Sequence, residues 1–273
     1  MIKKSNNFKP TYDWSNQEAL DMFNNSSFSF QIDKIYYNDF LNSVNIIPDN
    51  SVNCIIADPP FGISFSGKES LYNRKSTNVQ EGYVDIDGDY GVFSQSWISN
   101  LSRILKDDGS VWIFSGWSNL NSVLNAISNT NLNLINHIIW KYQFGVYTRR
   151  KFVSSHYHLL FLTKSKNYFF NKITNYPLDV WEINRKYSPN ELKNGTKLPN
   201  ELVMKCIDFT TKPGDLVFDP FVGNGTTAVV SKSSYRHYLG FEINNKMKQI
   251  INTNIKKTVL GSSYVPYNSR LIE

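Results

Sequence analysis

The sequence predicts an α/β fold: a mostly parallel sheet with an antiparallel edge, in a permuted order that puts the ligand-binding half late in the chain. Three observations lead there. The stretch from Gly214 to Glu242 reads as strand, Gly-rich loop, helix, strand and acid. A second buried-strand run, Val52 to Ala57, leads straight into Asp58-Pro59-Pro60-Phe61. Only the 31 residues 243–273 follow Glu242, too few for the strands and helices that would cover a doubly wound sheet. The missing strands must therefore come from the N-terminal part.

Within the first stretch, Leu216, Val217 and Phe218 form the apolar run of a buried parallel strand, and it stops at Asp219-Pro220 because Pro220 has no N–H for the ladder. Gly223, Gly225 and Ala228 then fit G-x-G-x-x-A, where small residues let the backbone approach a ligand and let the next helix pack on the strand. Thr226 to Ser234 read as that helix, its N-terminus facing the ligand, and Tyr238 to Phe241 as the following strand. Glu242 stands 19 positions after Gly223, about where a nucleotide-binding half places the carboxylate that holds ribose hydroxyls. The whole reads as a nucleoside pocket.

At 273 residues and 31.5 kDa the chain suits one large domain, or one domain with a substantial insertion. Hydrophobic residues at 41% and aromatic residues at 15% argue for a packed core and against disorder. A formal charge of +6 favours a polyanionic partner. Cys54 and Cys206 sit in apolar periodic stretches and imply neither a disulfide framework nor a zinc site, and none of the four His residues has a metal-ligand spacing. No metal is assigned. No run of apolar residues is long enough to span a membrane and no signal peptide opens the sequence, so the expectation is a cytoplasmic protein.

Taken in order, residues 1–30 are polar and read as a loosely attached extension, with one short helix where Ser15 and Glu18 form a capping box. Lys34 to Tyr37 form a strand, followed by a short helix around Leu41 to Ile47. Asp39, at the end of that strand, is either a ligand-facing carboxylate or the N-cap of the helix. After Val52 to Ala57, the two prolines stiffen the backbone and leave its carbonyls free to accept hydrogen bonds. Asp58 and the Pro59 carbonyl suit the two N–H groups of an amino substituent on a planar ring, with Phe61 stacked on the ring's face; the bland alternative is a strand-terminating turn.

Residues 62–90 form a long polar segment in which Lys68, Arg74 and Lys75 either meet phosphates or are simply solvated. A helix spans Val92 to Leu105 and stops at Asp107-Asp108-Gly109; a strand follows at Val111 to Phe114 and a helix at Asn119 to Ser128. Strands at Leu134 to Lys141, His156 to Thr163 and Tyr168 to Phe170, without intervening helices, make the antiparallel edge. Arg149, Arg150 and Lys151 lie beside Tyr147 and Phe152, the mixture that phosphate contact and base stacking use. With Arg185 and Lys186 farther on, residues 143–197 read as an inserted recognition segment. Pro199 to Thr211 is a helix leading back to the Gly214 stretch.

These residues resemble the amino-methylating DNA methyltransferases in their permuted (beta) order. Asp58-Pro59-Pro60-Phe61 is similar to the family's catalytic D-P-P-Y/F, and Asp219-Pro220-Phe221-Val222-Gly223-Asn224-Gly225-Thr226-Thr227 to its cofactor loop D-P-F-x-G-S/N-G-T-T. The resemblance covers about residues 31–258 and leaves a tail at 259–273. It implies a Rossmann-like methyltransferase domain that uses S-adenosyl-L-methionine, with Glu242 on its ribose, Asp39 near its adenine and residues 219–227 forming the loop around it. It also implies duplex DNA as partner, hence a place on the nucleoid, and a target base flipped into a pocket lined by Phe61.

Asp58 and the Pro59 carbonyl would then hold the exocyclic amine for in-line transfer. The D-P-P-F form points to adenine. Where the family often has His-x-x-x-Lys-Pro, this chain has Asn194-Gly195-Thr196-Lys197-Leu198-Pro199, and Leu-Pro here also occurs among relatives that methylate the cytosine amino group. The alternatives of another class are a nicotinamide-dependent oxidoreductase, disfavoured by the short tail, and a non-catalytic DNA-binding protein on a degenerate fold. The recognition sequence, an accompanying restriction nuclease and the choice between monomer and homodimer are left open by the sequence.

Overall fold

The computed structural model describes residues 9–60, 86, 88–143, 145, 149–150, 152–185 and 197–272. Their frame is an eight-stranded sheet in the order β1-β8-β7-β2-β3-β5-β4-β6. In chain order these are β1 (Lys34–Tyr36), β2 (Val52–Ala57), β3 (Leu105–Ser115), β4 (Asn133–Lys141), β5 (His156–Thr163), β6 (Val180–Glu182), β7 (Leu216–Asp219) and β8 (His237–Phe241). Strands β1, β8, β7, β2 and β3 run parallel, β5 is antiparallel to both β3 and β4, and β6 is parallel to β4. The mostly parallel sheet with a reversed edge is thus present.

The placement that matters is β2 beside β7. Cys54 pairs with Val217 and Ile55 with Phe218, so residues 58–60 and 219–221 leave neighbouring strand tips on the same end of the sheet. All six residues of β2 are buried because helices cover both faces. Ile55 and Ala57 join Phe218, Phe241 and Trp97 on one face, with α2 (Phe40–Ser43), α3 (Tyr90–Ile104) and α4 (Leu120–Ser128). Cys54 and Ile56 join Trp112, Phe161 and Leu202 on the other, under α5 (Asn200–Thr210). Burying each such aliphatic or aromatic side chain contributes about 1.5–3 kcal/mol.

Three expectations need correction. Asp107-Asp108-Gly109 does not separate a helix from a strand. Val52 pairs with Leu105 but Cys54 with Ser110, so the turn-like residues form a bulge inside a longer β3. A Cβ at Gly109 would stand 2.9 Å from the Asn53 carbonyl, which is why glycine sits at the bulge. Tyr168 to Phe170 is not a strand either: the Phe169 N–H goes to the Asp108 carbonyl and the Asn171 N–H to the Phe209 carbonyl, two different elements, so no ladder forms. The outer edge strand is β6 instead.

The third correction concerns the N-terminal residues, which are docked from Thr11 onward. α1 (Asn16–Asn25) starts at the Ser15–Glu18 capping box, buries Ala19, and crosses Gly214 so closely that a Cβ there would meet the Met22 carbonyl at 2.6 Å. Asp13 accepts from the Tyr267 and Asn268 N–H groups, and the Tyr264 hydroxyl donates to the Trp14 carbonyl. The two ends of the chain therefore hold each other against the sheet. Among the described residues no helix is long and apolar enough to cross a membrane.

Candidate active site

A cavity of about 590 Å³ opens at the tips of β1, β2, β7 and β8, within the usual range for a cofactor site. Its wall combines Asp58, Pro59 and Pro60 from the end of β2 with Asp219, Pro220 and Phe221 from the end of β7. Asp39, Gly223, Asn224, Thr226, Thr227 and Glu242 complete the polar part. Gly225 does not line the cavity; it is the left-handed N-cap (φ 82°) of α6 (Thr226–Ser233). Gly223 is also left-handed, at φ 55°, a conformation that carries little penalty only for glycine. A Cβ on Gly240 would stand 2.9 Å from the Asp219 carbonyl, so β8 can lie close to the loop only because that position is glycine.

On this side every carboxylate has backbone donors. Glu242 is 9% exposed; its Oε2 accepts from the Gly223 N–H at 2.7 Å and its Oε1 from the Asn244 N–H at 2.7 Å. Each oxygen keeps a lone pair for a ligand hydroxyl. Burial pushes Glu242 above the usual carboxylate range, while these N–H bonds pull it back. Asp219 accepts from the Phe221 N–H at 2.8 Å. Burial drives it up to about 7, against the Thr227 hydroxyl and the Phe221 N–H, with the Glu242 charge adding to the rise. Asp39 Oδ1 caps the Leu41 N–H at 3.0 Å, and the residue also lines the cavity.

Asp58 differs. Burial raises it to about 7, the Asp219 charge pushes the same way, and the Arg185 guanidinium opposes both. Behind it, the Tyr90 hydroxyl donates to the Pro60 carbonyl at 3.0 Å and so fixes the second proline. Phe61, Lys68, Arg74, Lys75, Lys151 and Lys186 lie outside the described residues. Arg149 and Arg150 are exposed, with Phe152, also exposed, close by in sequence. Arg185 is not with them: its guanidinium lies over the rings of Tyr142, Tyr157 and Trp140, at 4.3, 5.0 and 5.1 Å from their centres.

Several wall residues were missed from the sequence. Asp89, Val92, Phe93 and Trp97 of α3 and its cap line the cavity, and Trp97 packs edge-on against Phe221 at 5.2 Å. The available signal was the Phe93–Trp97 spacing of four on a helix that follows a long polar segment. Lys197, one position away from the Lys of the resembled motif, also lines the cavity. As a test of fit for a nucleoside-bearing cofactor, the cavity offers an apolar aromatic wall, a carboxylate with spare lone pairs and a glycine-lined approach. The Trp97 indole nitrogen is buried with no hydrogen-bond partner among the described residues. The residues fit such a group.

Comparison with known proteins gives the same direction. A family model described as DNA methylase matches residues 52–253. The type II methyltransferase M.HinfI of Haemophilus influenzae is 29% identical over 242 residues, covering 77% of this chain and 67% of that protein. The chain spans about two thirds of the length of the curated relatives it matches. The crystal structure of the M1.HpyAVI–SAM complex superposes with a TM-score of 0.62 at 20% identity, covering 81% of this chain and 98% of that one. The PvuII DNA methyltransferase, cytosine-N4-specific, gives 0.60 at 17% identity over 87% and 100% of the two chains. At these identities the structural likeness establishes the fold.

Proposed function

The chain belongs to the DNA methylase family of N6 and N4 methyltransferases, and we propose that it transfers a methyl group from S-adenosyl-L-methionine to the exocyclic amine of adenine in duplex DNA. The single observation that carries this reading is that Asp58-Pro59-Pro60 and the Asp219–Glu242 loop, some 160 positions apart, line one cavity. S-adenosyl-L-methionine supplies an electrophilic methyl group when bound. The residues of this chain do the rest by binding and orientation. Glu242 offers its spare lone pairs to ribose hydroxyls, Asp39 approaches the adenine ring, and Phe93, Trp97 and Phe221 supply the apolar wall.

On the acceptor side, the Asp58 carboxylate and the Pro59 carbonyl accept the two amine N–H groups, which turns the nitrogen lone pair toward the methyl carbon. Holding reactants in line in a site closed to bulk water is a large part of such a rate enhancement. The flipping of the base, at a cost of a few kcal/mol, is assigned to the DNA-facing side, where Arg149 and Arg150 meet phosphates and Phe152 is available for stacking. The basic residues at 68, 74, 75, 151, 185 and 186 were assigned to DNA on sequence grounds. The Arg185 guanidinium lies over the rings of Tyr142, Tyr157 and Trp140.

One observation favours cytosine as the alternative base: Leu198-Pro199 stands where Lys-Pro is common, and Leu198 and Lys197 both line the cavity. The test is transfer of labelled methyl from S-adenosyl-L-methionine to duplex DNA, followed by digestion to nucleosides and mass spectrometry. N6-methyladenine is the expected product; N4-methylcytosine would replace the base assignment while keeping the chemistry. Asp58→Ala should abolish transfer and leave cofactor binding by calorimetry intact. Unimpaired transfer by that variant rejects the assigned role.

A further inference from the structure

The sequence holds six tryptophans, and all but one are packed. Trp97, Trp112, Trp140 and Trp181 are buried, and Trp14 is half-buried with its ring stacked on Tyr12 at 5.8 Å. Trp117 is 65% exposed. Among the described residues its indole has no ring contact and no hydrogen bond. A packed tryptophan buries on the order of 200 Å², so a tryptophan left in water forgoes the stabilisation that the others provide. Packing within the chain does not account for this one.

The sheet sets where it stands. Ala57 of β2 pairs with Ile113 of β3, which puts Asp58 level with Phe114. At a strand spacing of about 4.8 Å and a rise of about 3.3 Å per residue, the Trp117 backbone is then roughly 10–12 Å from Asp58. β3 also pairs with β5 as far as Ser115 and His158, so the β4–β5 connection, with exposed Arg149, Arg150 and Phe152, leaves the same end of the sheet. The turn that carries Trp117 is fixed. The Asn119 N–H donates to the Gly116 carbonyl at 3.2 Å and the Val123 N–H to the Asn119 carbonyl at 3.1 Å, which leads the chain straight into α4. α4 packs on α3, the helix that lines the cofactor cavity.

We propose that Trp117 is a wedge for the DNA stack: it enters the duplex beside the target nucleotide and stacks on the bases that the flipped base leaves behind. This rests on the methyl-transfer reading given above, and it makes Trp117 a positioning residue for the acceptor. A base taken out of the duplex gives up its pairing and its stacking on both faces, and the enzyme has to offset that loss. Apolar side chains inserted between base steps do so by presenting a new face to the exposed neighbours. An indole offers a wide flat face for this purpose and accepts any base, because every base has a π-face.

The surroundings favour DNA as the occupant. In the sheet order β7-β2-β3, the cofactor loop stands on one side of the Asp58 tip and Trp117 on the other. A base that meets the methyl donor over Asp58 has its own strand on the Trp117 side. Arg149 and Arg150 on the same end of the sheet suit phosphates, and the formal charge of +6 draws a polyanion. Phe152, 99% exposed, adds a second ring close to those arginines in sequence. A patch built for an apolar protein partner is instead depleted of charge at its core.

The experiment maps the methylated site by sequencing modified bases in DNA treated with the unaltered protein, then compares Trp117→Ala and Trp117→Phe on two duplexes carrying that site. In one the target base is paired. In the other it faces an abasic position, so that little of the flipping cost is left. On the paired duplex Trp117→Ala should lose about 10- to 100-fold in kcat/KM, the scale of one lost base stack, while Trp117→Phe, which keeps a ring, loses less than about fivefold. On the unpaired duplex the Trp117→Ala loss should shrink to less than about threefold. An equal loss on both duplexes, or none on either, overturns the proposal.

A second assay needs no methyl transfer. A base stacked on an indole quenches its fluorescence, so the mapped duplex, or mixed-sequence duplex DNA where no site is methylated, should quench the unaltered protein. Trp117→Phe should lose most of that quenching while still binding the DNA by anisotropy. Equal quenching in the two proteins, or none in either, overturns the proposal. Quenching lost in Trp117→Phe, in a protein that methylates no DNA, refutes the proposed function and leaves the stacking contact standing. A Trp117 signal that changes with protein concentration in the absence of DNA assigns the residue to a second copy of the chain and overturns the proposal. Calorimetric binding of S-adenosyl-L-methionine identifies a variant that has failed to fold, and Trp117→Phe then decides by its quenching.

Discussion

The two sides of the cavity treat their carboxylates differently. On the loop side, Glu242 accepts two backbone N–H bonds and Asp219 one, so both are positioned by their own loops before any ligand arrives. On the strand β2 side, no hydrogen bond among the described residues reaches the Asp58 carboxylate; what acts on it is burial, the Asp219 charge and the Arg185 charge. A site that binds a cofactor benefits from a finished cradle. A site that must grip and turn an amine needs acceptors that nothing else has filled. The difference teaches that the loop side is preorganised for binding and the β2 side is held ready for substrate donors.

The largest effect should come from breaking the open side alone. Asp58→Asn places an NH₂ where acceptor lone pairs stood. Methyl transfer should fall by roughly a thousandfold, the scale of losing a preorganised polar contact in a transition state. Cofactor affinity by calorimetry should change by less than about threefold, since the loop side is untouched. An equal fall in both would mean that the two sides are not separable. The mirror experiment is Glu242→Gln, in which an NH₂ must face either the Gly223 or the Asn244 N–H. Cofactor binding should weaken about 30- to 100-fold, matching roughly 2–3 kcal/mol for a buried donor left unsatisfied, with transfer at saturating cofactor much less affected.

A smaller effect tests the cradle's backbone. Gly225 has φ 82°, and a Cβ there would come 3.3 Å from Ile251 Cγ2. Gly225→Ala should destabilise the protein by about 1–2 kcal/mol through the left-handed conformation alone. In thermal unfolding that corresponds to a drop of about 2–4 °C for a chain of this size. An unchanged melting temperature would mean the loop can flip to an ordinary conformation and is not a fixed cradle.

The loop side was far more legible in the sequence than the β2 side, for a physical reason. Gly223, Gly225, Asp219 and Glu242 belong to one local unit, in which strand, turn and helix lie within 30 residues and each residue type answers a local demand. Asp58-Pro59-Pro60 was legible as a stiff strand end, and the resemblance to a permuted methyltransferase domain implied that it meets the Gly223 loop. What supports Asp58 was not legible. Tyr90 reaches Pro60 across 30 residues and Arg185 acts on Asp58 from the other edge of the sheet. Contacts of this kind depend on tertiary placement, which periodicity does not encode. Tyr168 to Phe170 failed the same way: the alternation is real, but Asp108 and Phe209 take the hydrogen bonds that a strand partner would have taken.

The smallest effect concerns stability, and it distinguishes an open carboxylate from a satisfied one without any substrate. Asp58 in the folded protein is raised from 3.8 to about 7. Between these values the folded state holds the proton and the unfolded state does not. Stability associated with this group is therefore complete below pH 3.8, falls as pH rises, and is fully lost once pH passes about 7. Asp58→Asn removes the group that suffers this loss. The cofactor-free variant should be more stable than the unaltered protein by on the order of 1 kcal/mol at pH 8, and the difference should vanish toward pH 4. The total pH curve is not the measure, because His158, held down to about 4, loses stability in the opposite direction as pH falls below 6.5. The difference between the two proteins at each pH isolates Asp58. Chemical denaturation at pH 5 and pH 8 reads it directly, and a variant less stable than its parent at pH 8 would mean that the carboxylate has partners in the folded protein and is not waiting for any.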